Sequence, residues 1–137
     1  MKPILSLLAL IPALLFAQTA DYSWYTSPDA PEYEISTGGQ LRGLTDLVNG
    51  ATTISFSGRT IKLTGDIALS GNWTPIGNVR EKPFQGVFDG QKFTISGLAV
   101  NGGNYAGLFG YVGASGQIKM VVAAAMVVAV DVAMQEV

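Results

Sequence analysis

The chain of 137 residues contains no cysteine and no histidine. Without cysteine it forms no disulfide and offers no thiolate as nucleophile or ligand. Without histidine it builds no Ser-His-Asp constellation, and the two absences together exclude Cys/His zinc sites. Charge is scarce as well: 13% of residues are charged, and the net charge is −2. A balance so near neutral supplies no basic patch to neutralise phosphates, which argues against a nucleic-acid partner. Order in such a chain has to come from burial and hydrogen bonding alone, and at this length there is room for one domain.

The N-terminus carries much of the hydrophobicity. Lys2 supplies a positive start, residues 4–16 form an apolar core, and small residues permit cleavage after Ala17 or Ala20. The core is shorter than the roughly 20 residues a membrane-spanning helix needs. Residues 1–20 therefore read as a signal peptide. The exported part is expected to be secreted or held at the cell surface, with no stable membrane span after cleavage.

Residues 21–34, DYSWYTSPDAPEYE, read as a leader. Pro28 and Pro31 rule out a regular helix there, and Trp24 and Tyr25 fit a tether to the body of the domain better than a sugar-stacking platform. Residues 35–50 hold the one convincing helix. Thr37 is a good N-cap, Gln40 three positions later completes a capping box, and Leu41, Leu44, Leu47 and Val48 fall on one stripe. Asn49-Gly50 gives a C-terminal stop. Gly38, Gly39 and Gly43 weaken the helix by about 1 kcal/mol each relative to alanine, so it is stable only when docked, and its expected place is over the open end of a stack of strands.

The rest of the chain is organised around residues 83–112, PFQGVFDGQKFTISGLAVNGGNYAGLFGYV, where short apolar triplets alternate with glycine-centred turns. Asp89-Gly90 is a strong turn signal. Strands this short need stacking neighbours. The run from Thr60 to Leu69 is repeated from Lys92 to Val100, as apolar-x-apolar, Ser/Thr, Gly, apolar-Ala-apolar. This sets Ile61 against Phe93 and Ile67 against Leu98, at nearly the same offset. A partial third copy begins at Ile118, at a somewhat shorter offset from Phe93. Internal repeats with a period of roughly 20–50 residues signal a solenoid. The fold class expected is mainly all-β: a right-handed parallel β-helix fragment with an N-terminal capping α-helix. Trp73, between the copies, is expected to pack over the end of a rung with its indole N–H on a backbone carbonyl.

The region from residue 35 to residue 119 resembles bacterial surface proteins carrying the GLUG motif. The resemblance rests on Phe56-Ser57-Gly58, Thr60 to Gly71, Trp73 to Gly77, Phe84 to Gly90, Ile95 to Leu98 and Gly107 to Val112, which follow one another in the family's order. It implies an extracellular parallel β-helix, normally one unit of a longer surface protein or adhesin, whose partners are host or cell-surface glycans or proteins. Related segments also stand beside the catalytic domains of secreted peptidases. The resemblance transfers no catalytic residue and implies no cofactor; its motif residues Gly90, Gly97, Gly107, Leu108, Phe109 and Gly110 look structural. Gly107 to Gly110 lacks the lysine and the strand–helix setting of a phosphate loop.

Agreement with the family stops at Lys119. Residues 120–137, MVVAAAMVVAVDVAMQEV, form an atypical apolar tail whose uncharged run ends at Asp131, too soon to span a membrane. The tail fits a terminal strand or helix equally well. A third reading is that its alphabet, mainly Val, Ala and Met with Asp, Glu and one Gln, comes from a glycine-rich segment read one base out of frame, the chain then being the truncated form of a longer protein.

Three chemistries present themselves for the body of the domain. Asp66 and Asp89 are candidates for an acid–base pair or, with nearby carbonyls, for calcium ligands, against the plainer role of accepting backbone N–H groups at turns. Trp73, Tyr105 and Tyr111 are the candidate aromatics for stacking on a carbohydrate. The expected function is structural or adhesive without catalysis, with a carbohydrate-binding or carbohydrate-active β-helix and an accessory segment of a secreted peptidase as alternatives. The frameshift reading predicts that the coding DNA of residues 120–137 carries a glycine-rich alternative frame; a frame poor in glycine refutes it.

Overall fold

The computed structural model describes residues 18–99 and 107–123. Most of the candidate signal peptide, Tyr105 and residues 124–137 of the apolar tail lie outside them. Among the described residues the fold is mainly sheet with one helix, and no helix is long and apolar enough to cross a membrane.

The strands are short and pair only in parallel. Strand β1 (Glu32–Ile35) pairs with β2 (Thr60–Leu63), β2 with β4 (Val87–Asp89), and β4 with β6 (Gln117–Lys119). A second sheet orders β3 (Ile67–Ala68), β5 (Thr94–Ser96) and β7 (Val122–Ala123). A third line of parallel contact joins Ile76 to Phe109 and Phe84 to Val112 through isolated bridges. Strands this short bury too little to stand singly, so each depends on its neighbours above and below.

Because side chains alternate along a strand, the register sorts them into columns. Tyr33, Ile61, Phe88 and Ile118 align on the inner side of the first sheet, and the first three are at most 2% exposed. The next column outward is Glu34, Lys62, Asp89 and Lys119, alternating in sign from strand to strand. Lys62 also reaches Glu32 at 3.2 Å.

The leader contributes more than a tether, since its end, β1, is the first strand of the larger sheet. The tether itself is as expected. Trp24 is buried, its indole N–H donates to Gln40 O at 3.1 Å, and its ring meets those of Tyr33 and Phe56. From Phe56 the aromatic contacts continue through Phe84 to Phe109 and Phe88, with centroids 6.4, 5.3 and 5.1 Å apart. Offset and edge-on pairs of this kind add to the burial energy.

Helix α1 (Gly38–Asn49) starts as its sequence dictates: Thr37 Oγ1 accepts from Gln40 N, and Gln40 Oε1 accepts from Thr37 N. Leu41, Leu44 and Val48 are fully buried, with Leu47 packed beside them. The other face stitches the helix to the body. Arg42 donates to Ser70 O and Asn72 O, and Asn49 Nδ2 donates to Pro75 O. From the end of the candidate signal peptide, Gln18 Nε2 donates to Ala68 O. These carbonyls follow one another along the edge of the first turn of chain, so the edge is covered by side-chain donors, one of the ways sheets avoid edge-to-edge association. The helix stops at Asn49-Gly50 as expected, though by other means. Gly50 has φ −71°, not a left-handed cap; instead the Lys82 ammonium donates to Asn49 O and Gly50 O, a cation on the last carbonyls where the helix dipole favours one.

The repeat is present in a different register. Ile61 stacks on Phe88, Phe88 stacks on Ile118, and Ile67 stacks on Ile95. Each step is shorter than the offset of the sequence repeat, so Phe93-Thr94-Ile95 continues the second sheet, not the first. Apolar-x-apolar triplets are interchangeable as patterns, and the choice falls to the one that buries its aromatic ring completely: Phe88 is 0% exposed, whereas Phe93 is only half-buried. Asp89-Gly90 accordingly makes no hairpin. Asp89 ends β4, and the corner is formed by Gln91 and Lys92 at φ 49° and 69°. Gly90 is needed because a Cβ there would lie 2.5 Å from Met120 O.

Gly97 is the most constrained corner, with φ +77° and space for a Cβ only 2.2 Å from Leu69 O. Gly97→Ala is expected to destabilise the domain by about 2–4 kcal/mol, combining left-handed strain with a backbone clash. Urea denaturation of the purified chain measures this, and an unchanged midpoint would contradict the stacking at this corner.

Candidate functional site

The candidate stacking aromatics do not form an exposed row. Trp73 is 3% exposed, donates its indole N–H to Leu108 O at 3.0 Å, and has the Arg42 guanidinium 5.2 Å from its ring centroid. Tyr111 is 8% exposed, with the Arg80 guanidinium 5.6 Å from its ring. Both rings carry an arginine where a sugar would have to lie. Tyr105 lies outside the described residues.

The motif residues occupy packing positions. Leu108 and Phe109 are fully buried, and Gly107 is buried beside them. A Cβ on Gly110 would lie 2.4 Å from Gly77 O. The two acids are held apart in separate turns: Asp66 Oδ1 accepts from Thr94 N at 2.8 Å, and Asp89 Oδ1 accepts from Gln91 N at 3.0 Å. Each carboxylate thus completes a corner. Among the described residues no three acidic side chains gather closely enough to hold a metal ion.

Two clefts remain. The first, of about 210 Å³, lies between the helix and the segment at Trp73-Thr74, with Arg42 and Asp46 on its wall. The Arg42 fork is already engaged with two carbonyls, its Nε is buried without a partner, and burial lowers its pKa. At the rim the Tyr22 hydroxyl donates to Asp46 Oδ2 at 2.6 Å. These groups hold the cap in place and leave little donor capacity for a ligand.

The second cleft, of about 400 Å³, opens between the leader turn at residues 25–29 and the loop at residues 53–59. Tyr25 contributes a half-buried ring, and Thr53, Ser55 and Ser57 contribute hydroxyl-bearing walls. Asp29 comes from the leader and Arg59 from the loop. Arg59 stands beside Tyr33, whose own hydroxyl donates to Ser27 O. Burial pushes the Tyr33 phenol upward, partly offset by the positive charge and hydrogen bonding of Arg59. Phe56 has φ +62°, a left-handed conformation unusual for a bulky residue, which keeps its ring in the aromatic core while its neighbours on either side line the cleft. Of these residues the sequence points only to Tyr25, weighed with Trp24 as a sugar-stacking platform and read instead as a tether. The available signal is Thr53-Ile54-Ser55-Phe56-Ser57, where hydroxyls recur at every second position.

The Tyr22–Asp46 contact makes a prediction. The hydrogen bond to Asp46 raises the Tyr22 pKa above the ordinary tyrosine value, helped by some desolvation and by the carboxylate's charge. A raised folded-state pKa means that this contribution to stability is complete below the unfolded tyrosine pKa. It is lost as the pH rises through the folded one. Asp46→Asn is expected to bring the Tyr22 midpoint down toward the ordinary value in an ultraviolet absorbance titration; an unmoved midpoint would show that the contact does not persist in solution.

With this geometry in view, the chain matches no family model, no curated protein and no solved structure.

Proposed function

We propose that the chain is a secreted or cell-surface structural and adhesive module, a right-handed parallel β-helix fragment of the GLUG-motif kind with an N-terminal cap and no catalysis of its own. The observation that carries this reading is the in-register parallel stacking of two sheets beneath a helix bonded to the edge of the first turn through Arg42 and Asn49. Such a stack is extended by adding turns, which suits a scaffold that presents a surface away from the cell. The use of Asp66 and Asp89 as backbone acceptors supports a structural role over an acid–base pair. The N-terminal sequence supports export.

The test follows the full chain carrying a C-terminal epitope, expressed in a Gram-negative host. The epitope is expected in the medium or on the outer surface, sensitive to protease added to intact cells. Beads coated with the purified chain are expected to adhere to epithelial monolayers at least several-fold above albumin-coated beads. Retention in the cytoplasm, or adhesion no better than albumin, overturns the proposal.

A further inference from the structure

We infer that the cleft between residues 25–29 and 53–59 binds a neutral saccharide. The inference rests on the adhesive reading and gives it a ligand class. At about 400 Å³ the cleft lies within the usual range of small-molecule sites, roughly 300–1,000 Å³. It combines the three kinds of group a sugar ring needs. Tyr25, packed against Trp24, Tyr33 and Phe56 and half-buried, offers the part of its ring that still faces the cleft to the C–H face of a sugar. The hydroxyls of Ser55 and Ser57 both donate and accept, as sugar hydroxyls do. Arg59 shares part of its fork with the Tyr33 hydroxyl and supplies its remaining donors, and the Asp29 carboxylate supplies an acceptor.

The charges decide the class of saccharide. The cleft has one cation and one anion, and among the described residues these two make no ion pair with each other. An acidic sugar would gain at Arg59 and be opposed at Asp29. A neutral sugar with vicinal hydroxyls uses both, since one hydroxyl accepts from the guanidinium while its neighbour donates to the carboxylate. The left-handed backbone of Phe56 is the kind of local strain that concentrates at ligand sites. That conformation packs the ring inward and leaves Ser55 and Ser57 on the cleft wall.

The test uses the full chain on a glycan array carrying neutral, sialylated and sulfated glycans, followed by saturation-transfer NMR with maltotriose, cellotriose and N-acetylchitotriose. Binding to at least one neutral glycan is expected. Asp29→Asn, a change at an exposed side chain, is expected to weaken it tenfold or more without moving the thermal midpoint. Arg59→Gln is expected to weaken it similarly, and Arg80→Gln, remote from the cleft, to leave it unchanged. No neutral glycan bound, binding confined to acidic glycans, or binding untouched by Asp29→Asn each overturns the inference. Bead adhesion without binding of any neutral glycan would refute the cleft and leave the adhesive reading standing; glycan binding without bead adhesion would do the reverse.

Discussion

Everything in this domain depends on one constraint: no strand is long enough to be stable by itself, so each must sit in register on the next. The inner column of Tyr33, Ile61, Phe88 and Ile118 meets that constraint. It is continued by the ring contacts that lead from Phe56 through Phe84 to Phe109. With no disulfide to limit the unfolded chain, the burial of these rings and aliphatic groups is the main term opposing conformational entropy. The glycine corners are subordinate to it, because they let neighbouring backbone segments approach closely enough for the columns to touch.

The cap follows from the same constraint. Strand β3 is an edge strand of its sheet, and the carbonyls from Ala68 onward would otherwise lack partners on that side. Arg42 and Asn49 of the helix satisfy several of them, and Gln18, from the end of the candidate signal peptide, another. Arg42 joins this edge to the Trp73 ring, and Lys82 in turn holds the helix's last carbonyls. Cap and stack therefore stabilise each other, which is why a helix weakened by its glycines persists.

Sequence reading reaches some of this and misses the rest for identifiable reasons. The helix, its capping box and its buried stripe are legible because 3.6-residue periodicity and capping chemistry are local. The destination of Trp73's indole N–H is legible from size and polarity. The register is not: triplets around Ile61, Phe88, Phe93 and Ile95 share one pattern, and only the fit of a ring in the interior distinguishes them. Strand β1 is hidden in a proline-rich leader, because its pairing partner lies beyond the whole of the helix in sequence. The larger cleft is hidden for the same reason, since its walls come from two segments that are brought together only by the fold.

The alternating outer column has a meaning apart from stability. Among the described residues Lys62 makes its ion pair with Glu32, outside the column. Partly exposed charges set side by side in this way are worth little, at most about 1 kcal/mol each, so the column would add almost nothing to a melting temperature. Its value lies in error detection. A nascent chain whose third strand skipped the second would set Asp89 against Glu34, like charge on like, whereas the correct order sets each against a lysine. In a fold whose apolar triplets are nearly indistinguishable, a parity rule written in charge rejects the misaligned copy that the interior alone would accept.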